Sequence, residues 1–185
     1  MKKAVVFIDV QNDFVKGGAL AYGYPAEDIV PKIAAFAAKC RERGDSLYAT
    51  RDTHDADYLD TLEGKKLPVP HCNKDLRGWD IADALDEVFV RSCVKYVNKP
   101  TFGSTKLVEK LIPEVAGGWI DEIILCGFCT SICVVSNALL LRAALPNTKI
   151  TLLEDLCGDI DEASHKAALA VLRNCQIDIA TSDAA

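Results

Sequence analysis

Short apolar runs rich in β-branched residues alternate along the chain with stretches whose apolar positions recur at helical spacing. "AVVFIDV" (4–10) opens with five apolar residues and no polar alternation, the pattern of a strand covered on both faces. From 28 to 43, Val30, Ile33, Ala34, Ala37 and Cys40 share one helical face, and Gly44 follows as a stop. "SLYATR" (46–51) predicts a second strand, and "VFVRSCVKYVNK" (88–99) contains strand material. "STKLVEKLI" (104–112) predicts a short helix with Ser104 as N-cap. "DEIILCG" (121–127) is the most apolar strand candidate and leads into a helix over 131–144. "KITLLED" (149–155) predicts a strand, 161–175 a helix opened by Asp161 or Ser164, and "QIDIAT" (176–181) a last strand.

Strands separated by helices imply right-handed crossovers and a mostly parallel sheet with helices on both faces, an α/β fold. The length suits one domain over residues 1–185, with no repeat, low-complexity segment or linker. Ligands of such sheets bind beyond the carboxyl ends of the strands. That rule selects Asp9, Asp52, the region around Lys99, the 127–133 loop and Asp155. The polar stretch 52–82 is too long for a simple connection and is expected to fold over the site.

Composition narrows the function classes. The net charge of −6 is spread along the chain without a basic patch, which argues against nucleic acid as a partner. The N-terminal "MKKAVVFIDVQNDF" meets Asp9, Asn12 and Asp13 too early for a signal peptide, and no apolar run is long enough to span a bilayer. A cytoplasmic protein is expected, its eight cysteines reduced. Cys40, Cys93, Cys126, Cys157 and Cys175 lie in apolar or helical contexts and read mostly as small core fillers. The Ala/Leu-rich face at 138–145 suits either core packing or contact between subunits of a homo-oligomer.

The three cysteines between 126 and 133 carry the chemical question. Cys126-Gly-Phe-Cys129 is formally a C-x-x-C pair, but Cys126 falls inside the apolar strand, where a thiol is buried and inert. Cys133 falls in the first turn of the following helix, where free N–H groups and the helix dipole favour a thiolate. Its bland alternative is a cysteine on the core face of that helix. A nucleophile needs a base and a charge partner; Asp9, ending an apolar strand, and Lys99, ending another, are the candidates. Separately, Asp52, His54, Glu63 and His71 gather two carboxylates and two imidazoles in one polar stretch. That donor set suits a divalent metal ion, zinc first, with manganese or iron as alternatives. A solvated acidic loop is the competing reading. His165, between Glu162 and Lys166, reads as a surface residue.

Five motifs in order, "DVQNDF" (9–14), "TRDTH" (50–54), "PVPHC" (68–72), "NKPTFGST" (98–105) and "GFCTSICV" (127–134), resemble the isochorismatase-like cysteine hydrolases, and more closely their nicotinamidase branch. The resemblance implies a three-layer α/β/α fold around a mainly parallel six-stranded sheet. It implies hydrolysis of nicotinamide to nicotinic acid and ammonia through a cysteine thioester, or of another small amide or ureido compound. The family's triad falls on Asp9, Lys99 and Cys133, and its metal ligands on Asp52, His54 and His71, with Glu63 joining as in a subset of nicotinamidases. Its oxyanion hole falls on the N–H groups of Cys129 and Cys133, after a cis bond at Phe128–Cys129, and its apolar pocket walls on Phe14, Leu20 and Phe102. Three positions depart from the pattern. Ser131 stands where many nicotinamidases carry an acidic residue, Cys129 where alanine is common, and Pro68 where a bulkier wall residue is expected. A metal-free ether hydrolase of the same fold and a redox or metal-binding module are the rival classes.

Overall fold

The computed structural model describes residues 2–185. Among them, six strands form one sheet in the order β3-β2-β1-β4-β5-β6, with every neighbouring pair parallel. They are β1 (Lys3–Ile8), β2 (Ser46–Asp52), β3 (Lys95–Lys99), β4 (Glu122–Gly127), β5 (Lys149–Cys157) and β6 (Asp178–Ala180). The helices are α1 (Val30–Arg43), α2 (Leu62–Lys66), α3 (Asp83–Val90), α4 (Thr105–Ala116), α5 (Val135–Ala144) and α6 (Glu162–Asn174). α1 packs with α3, whereas α5 packs against both α4 and α6. Right-handed crossovers put these two groups on opposite faces and give three layers.

β1 and β4 supply the centre of the core: Ala4 to Ile8 and Ile123 to Cys126 are all buried, as a strand covered on both faces requires. Gly127 ends β4 with φ +123°, and a Cβ there would lie 2.0 Å from Ile8 O, so only glycine lets the two strand ends approach. Helix ends follow local chemistry. Ser104 caps α4 by accepting from Leu107 N, Asp161 caps α6 by accepting from Ser164 N, and Gly44 closes α1 in the left-handed region.

The structure departs from expectation in several places. The strand material of 88–99 is confined to β3, and Val88, Phe89 and Val90 end helix α3, whose Leu85 and Phe89 face the core. Cys93 is exposed and Cys175 half-buried, so neither fills the core. His165 is buried, since it continues the inward stripe of Ala168, Leu169 and Leu172 on α6. Asp155 is turned away from the candidate site, its carboxylate accepting from Ser182 N and Oγ. Among the described residues, no helix is long and apolar enough to cross a membrane.

Candidate active site

The strand order reverses between β1 and β4, so the loops after these two strands open a crevice at their carboxyl ends. Asp9 follows β1 directly with φ +49°, a conformation uncommon outside glycine. Asp52 ends β2, Lys99 ends β3, and the turn after β4 carries Cys129 to Cys133. Neighbouring registers, Asp52 with Lys99 and Ile8 with Gly127, bring all four strand ends level.

The structure brings Asp9, Lys99 and Cys133 together. Lys99 Nζ lies 2.6 Å from Asp9 Oδ2, 3.3 Å from Asp52 Oδ1 and 3.5 Å from Cys133 Sγ, and it donates to Thr101 O. Thr50 Oγ1 donates to Asp9 Oδ1 at 2.6 Å. Asp9 Oδ2 is in close ionic contact with Lys99 but accepts no well-directed hydrogen bond, which leaves it a lone pair for a proton. Gln11 locks the frame, its side chain exchanging hydrogen bonds with the Asp52 backbone and donating to Trp79 O.

Electrostatics divide the roles. Burial raises the Cys133 thiol well above its usual range; Lys99 opposes this, while Asp9 and Asp52 add to it. Burial thus works against the thiolate and against the helix dipole, so freeing the sulfur's proton calls for a base. Burial also raises Asp9, with Lys99 opposing and Asp52 adding. Burial would lower Lys99, but Asp9, Cys133 and Asp52 outweigh it, and the ammonium stays charged.

Beside this trio, Asp52, His54, Glu63 and His71 hold one ligand atom each within 4.8 Å of one another. Asp52 Oδ2 is 3.1 Å from His54 Nε2 and 3.4 Å from His71 Nε2, and Glu63 Oε1 lies 3.8 and 3.9 Å from the same nitrogens. His71 Nδ1 is 2.9 Å from Val69 O; donating there fixes the tautomer that leaves Nε2 free for a cation. Burial would raise the Asp52 carboxyl, but Lys99 and the two histidines hold it well below the usual range. Two imidazoles and two carboxylates facing one point fit a divalent cation. The 52–82 stretch does fold over the site. Thr61 caps α2, which presents Glu63, and Asp13 Oδ2 accepts from Cys72 N to hold the segment carrying His71.

A cavity of about 310 Å³ joins the two clusters. Phe14, Leu20 and Phe102 line it, together with Tyr22, Leu67 and Ile132. Pro68 does not line it; its neighbour Leu67 supplies that wall. The floor is the π-helical turn Thr130–Val134 with Cys129 as N-cap, following a cis Phe128–Cys129 bond. Within this turn Thr130 N donates to Gly158 O, Ser131 N to Asp159 Oδ2, and Ile132 N and Val134 N to Cys129 O. Cys129 N and Cys133 N have no partner outside the turn among the described residues. Cys126 is fully buried in β4, away from the cavity.

Sequence reasoning did not single out Asn137 or Asp159. Asn137 Nδ2 donates to Cys133 O and Phe102 O while its Oδ1 accepts from Ser104 N. The one available signal for Asn137 was an amide amid the apolar run "ICVVSNALLL".

A model of the isochorismatase domain matches residues 3–184. The chain belongs to the isochorismatase family. Relatives of this isochorismatase-family chain include a nicotinamidase of Schizosaccharomyces pombe, 26% identical over 95% of this chain and 91% of that protein. A crystal structure of a nicotinamidase/pyrazinamidase from Bacillus subtilis superposes with a TM-score of 0.84 at 28% identity, covering 97% of this chain and all of that one (100%). The fold is also that of a Pyrococcus horikoshii pyrazinamidase in complex with zinc, with a TM-score of 0.79 at 24% identity over 98% of this chain and 99% of that one.

Proposed function

We propose that this protein is an amide hydrolase converting nicotinamide to nicotinic acid and ammonia through a thioester on Cys133. One observation carries the reading: an acid, an ammonium group and a thiol from three strand ends meet beside a four-ligand cluster on one small apolar cavity. The similarity to nicotinamidases over nearly the whole chain supports it. At about 310 Å³ the cavity is at the small end of ligand pockets, ~300–1,000 Å³, as a single-ring substrate requires.

In this reading Asp9 takes the Cys133 proton, and the sulfur attacks the amide carbon. The carbonyl electron pair moves to oxygen, where the N–H groups of Cys129 and Cys133 hold the charge. Asp9 passes its proton to the departing nitrogen, and ammonia leaves. Asp9 then removes a proton from water as it attacks the thioester, and that proton returns to the sulfur as nicotinic acid is released. Lys99 remains positive and steadies each anion in turn. Asp52, His54, Glu63 and His71 would hold a divalent ion, zinc by donor type, which when bound supplies a Lewis-acid contact for a ring nitrogen. Phe14, Leu20 and Phe102 would clasp the ring. Eight free cysteines suit the reducing cytoplasm.

Ureido acids and isochorismate carry carboxylates; no lysine or arginine lines the cavity, and the nearby Lys99 is already held by Asp9 and Asp52, which favours a neutral amide. Ammonia release from nicotinamide and a panel of ureido acids tests the choice. Cys133→Ala is expected to lower nicotinamide turnover by at least ~10³-fold. Turnover by that variant near the wild-type rate would refute the thioester route.

A further inference from the structure

We infer that Asp159 is a positioning residue for the reaction: its carboxylate sets the turn whose amides receive the oxyanion. This rests on the amide-hydrolase reading above. Asp159 is fully buried and has no lysine, arginine or histidine in ion-pair contact among the described residues. Burying a carboxylate this way is costly unless donors surround it. Here Oδ2 accepts from Ser131 N and Oδ1 from Ser131 Oγ and Ile160 N, each at 2.8 Å. Two of the three donors belong to Ser131, midway between Cys129 and Cys133.

The consequence is directional. With Ser131 N drawn to Asp159 and Thr130 N to Gly158 O, the preceding and following peptides are oriented as well. Cys129 and Cys133 line the cavity, and their N–H groups have no partner outside the turn among the described residues. The carboxylate sits on a stiff frame. Tyr24 and Asp159 exchange paired backbone hydrogen bonds, and Tyr22 stacks on Phe128 at 4.7 Å. Gly158 lies so close under Phe128 that a Cβ would meet its ring at 2.7 Å. Charge at 159 by itself works against an oxyanion, so the benefit of the residue lies in its two acceptor oxygens. Asparagine has the same shape but one acceptor, so its NH2 group would face a backbone donor, Ser131 N or Ile160 N, and the turn would shift to relieve that clash.

Three measurements on wild type, Asp159→Asn and Ser131→Ala separate positioning from mere support. They are nicotinamide kinetics, inhibition by pyridine-3-carbaldehyde, and alkylation of Cys133 by iodoacetamide. The aldehyde accepts the Cys133 sulfur at its carbonyl carbon and puts the electron pair on oxygen, so it reports the oxyanion site. Alkylation needs only the thiolate. In Asp159→Asn, kcat is expected to fall ~100-fold and aldehyde affinity by a similar factor, as when one oxyanion donor is lost. The KM and the alkylation rate should stay within about threefold, because neither uses the oxyanion site. Ser131→Ala retains the backbone contact and should lose roughly two- to tenfold in both kcat and aldehyde affinity, the scale of one hydrogen bond. Unchanged kcat in Asp159→Asn, or kcat and alkylation falling together, would overturn the inference. Should that variant not fold, unchanged kcat and aldehyde affinity in Ser131→Ala would do the same. If wild type left nicotinamide intact, the functional reading would fail, while aldehyde affinities would still report on Asp159.

Discussion

Replacing Lys99 by methionine keeps an unbranched side chain one atom shorter and removes a charge that three acidic groups share. Lys99 is 1% exposed, so solvent screens little of its interaction. At an effective dielectric of ~20, its attraction is ~6 kcal/mol to Asp9 at 2.6 Å and ~5 kcal/mol to Asp52 at 3.3 Å. Dehydrating the ions offsets several kcal/mol apiece, so deleting one partner of such a buried set costs roughly 3–5 kcal/mol. That is a large share of a total stability of about 5–15 kcal/mol.

The assay is urea unfolding of protein treated with a chelator, so that Asp52 has no cation other than Lys99. With a slope of ~2–3 kcal/mol/M, the midpoint should fall by about 1–2 M. The double variant Asp9→Asn with Lys99→Met should recover part of the loss, because it removes one orphaned carboxylate along with the ammonium. Nicotinamide turnover should be lost in both, since the proton acceptor or its charge partner is gone. A midpoint for Lys99→Met within experimental error of wild type would refute the buried-charge account. So would a double variant less stable than the single one.

The four-ligand cluster predicts that Glu63→Gln weakens divalent-metal binding by at least ~10-fold, in line with the effect of altering even the supports of metal ligands. Calorimetric titration of zinc into metal-free protein checks it, and equal affinities would remove Glu63 from the ligand set. A second test concerns pH. Burial lowers the pKa of His165, which meets Thr130 Oγ1 at 2.9 Å. The unfolded chain therefore takes up this proton first as pH falls below about 6.5. Its contribution to stability is complete above that pH and declines through the lowered folded value, by up to ~1.4 kcal/mol per pH unit. Unfolding of wild type and His165→Gln between pH 5 and 7.5 should show a shallower loss in the variant; parallel curves would exclude the effect.

How much of this was visible in the sequence depended on what each residue costs to place. A carboxylate after "AVVFI" is expensive to bury without a partner, so Asp9 stood out; Lys99 read equally well as a surface lysine and drew attention only as a charge partner for Cys133. The strands of the parallel sheet were equally legible, because burial on both faces leaves an unbroken apolar run. α3 was not. Its Val88, Phe89 and Val90 look like a strand when taken alone, and the helical spacing from Leu85 to Phe89 decides only once the polar stretch before it is read as ordered. His165 was legible in principle, since it is in phase with Ala168, Leu169 and Leu172, yet its charged neighbours drew the reading outward.

Asp159 and Leu67 show the other limit. Nothing local distinguishes Asp159 from Asp155 or Asp161: all three are acidic residues around the end of β5. Asp155 binds the C-terminal turn, Asp161 caps α6, and only Asp159 reaches across to Ser131. The choice is made by the pairing of Tyr24 with Asp159, a contact between residues far apart in the chain. Leu67 replaces Pro68 at the pocket wall through a one-residue difference within an irregular loop, where no period assigns faces. Ser131, where the family resemblance leads one to expect an acid, still has a carboxylate beside it, brought by the loop after β5. Substitution at a site residue therefore has to be judged with its spatial neighbours: a missing carboxylate at 131 leaves the turn capped as long as Asp159 holds it.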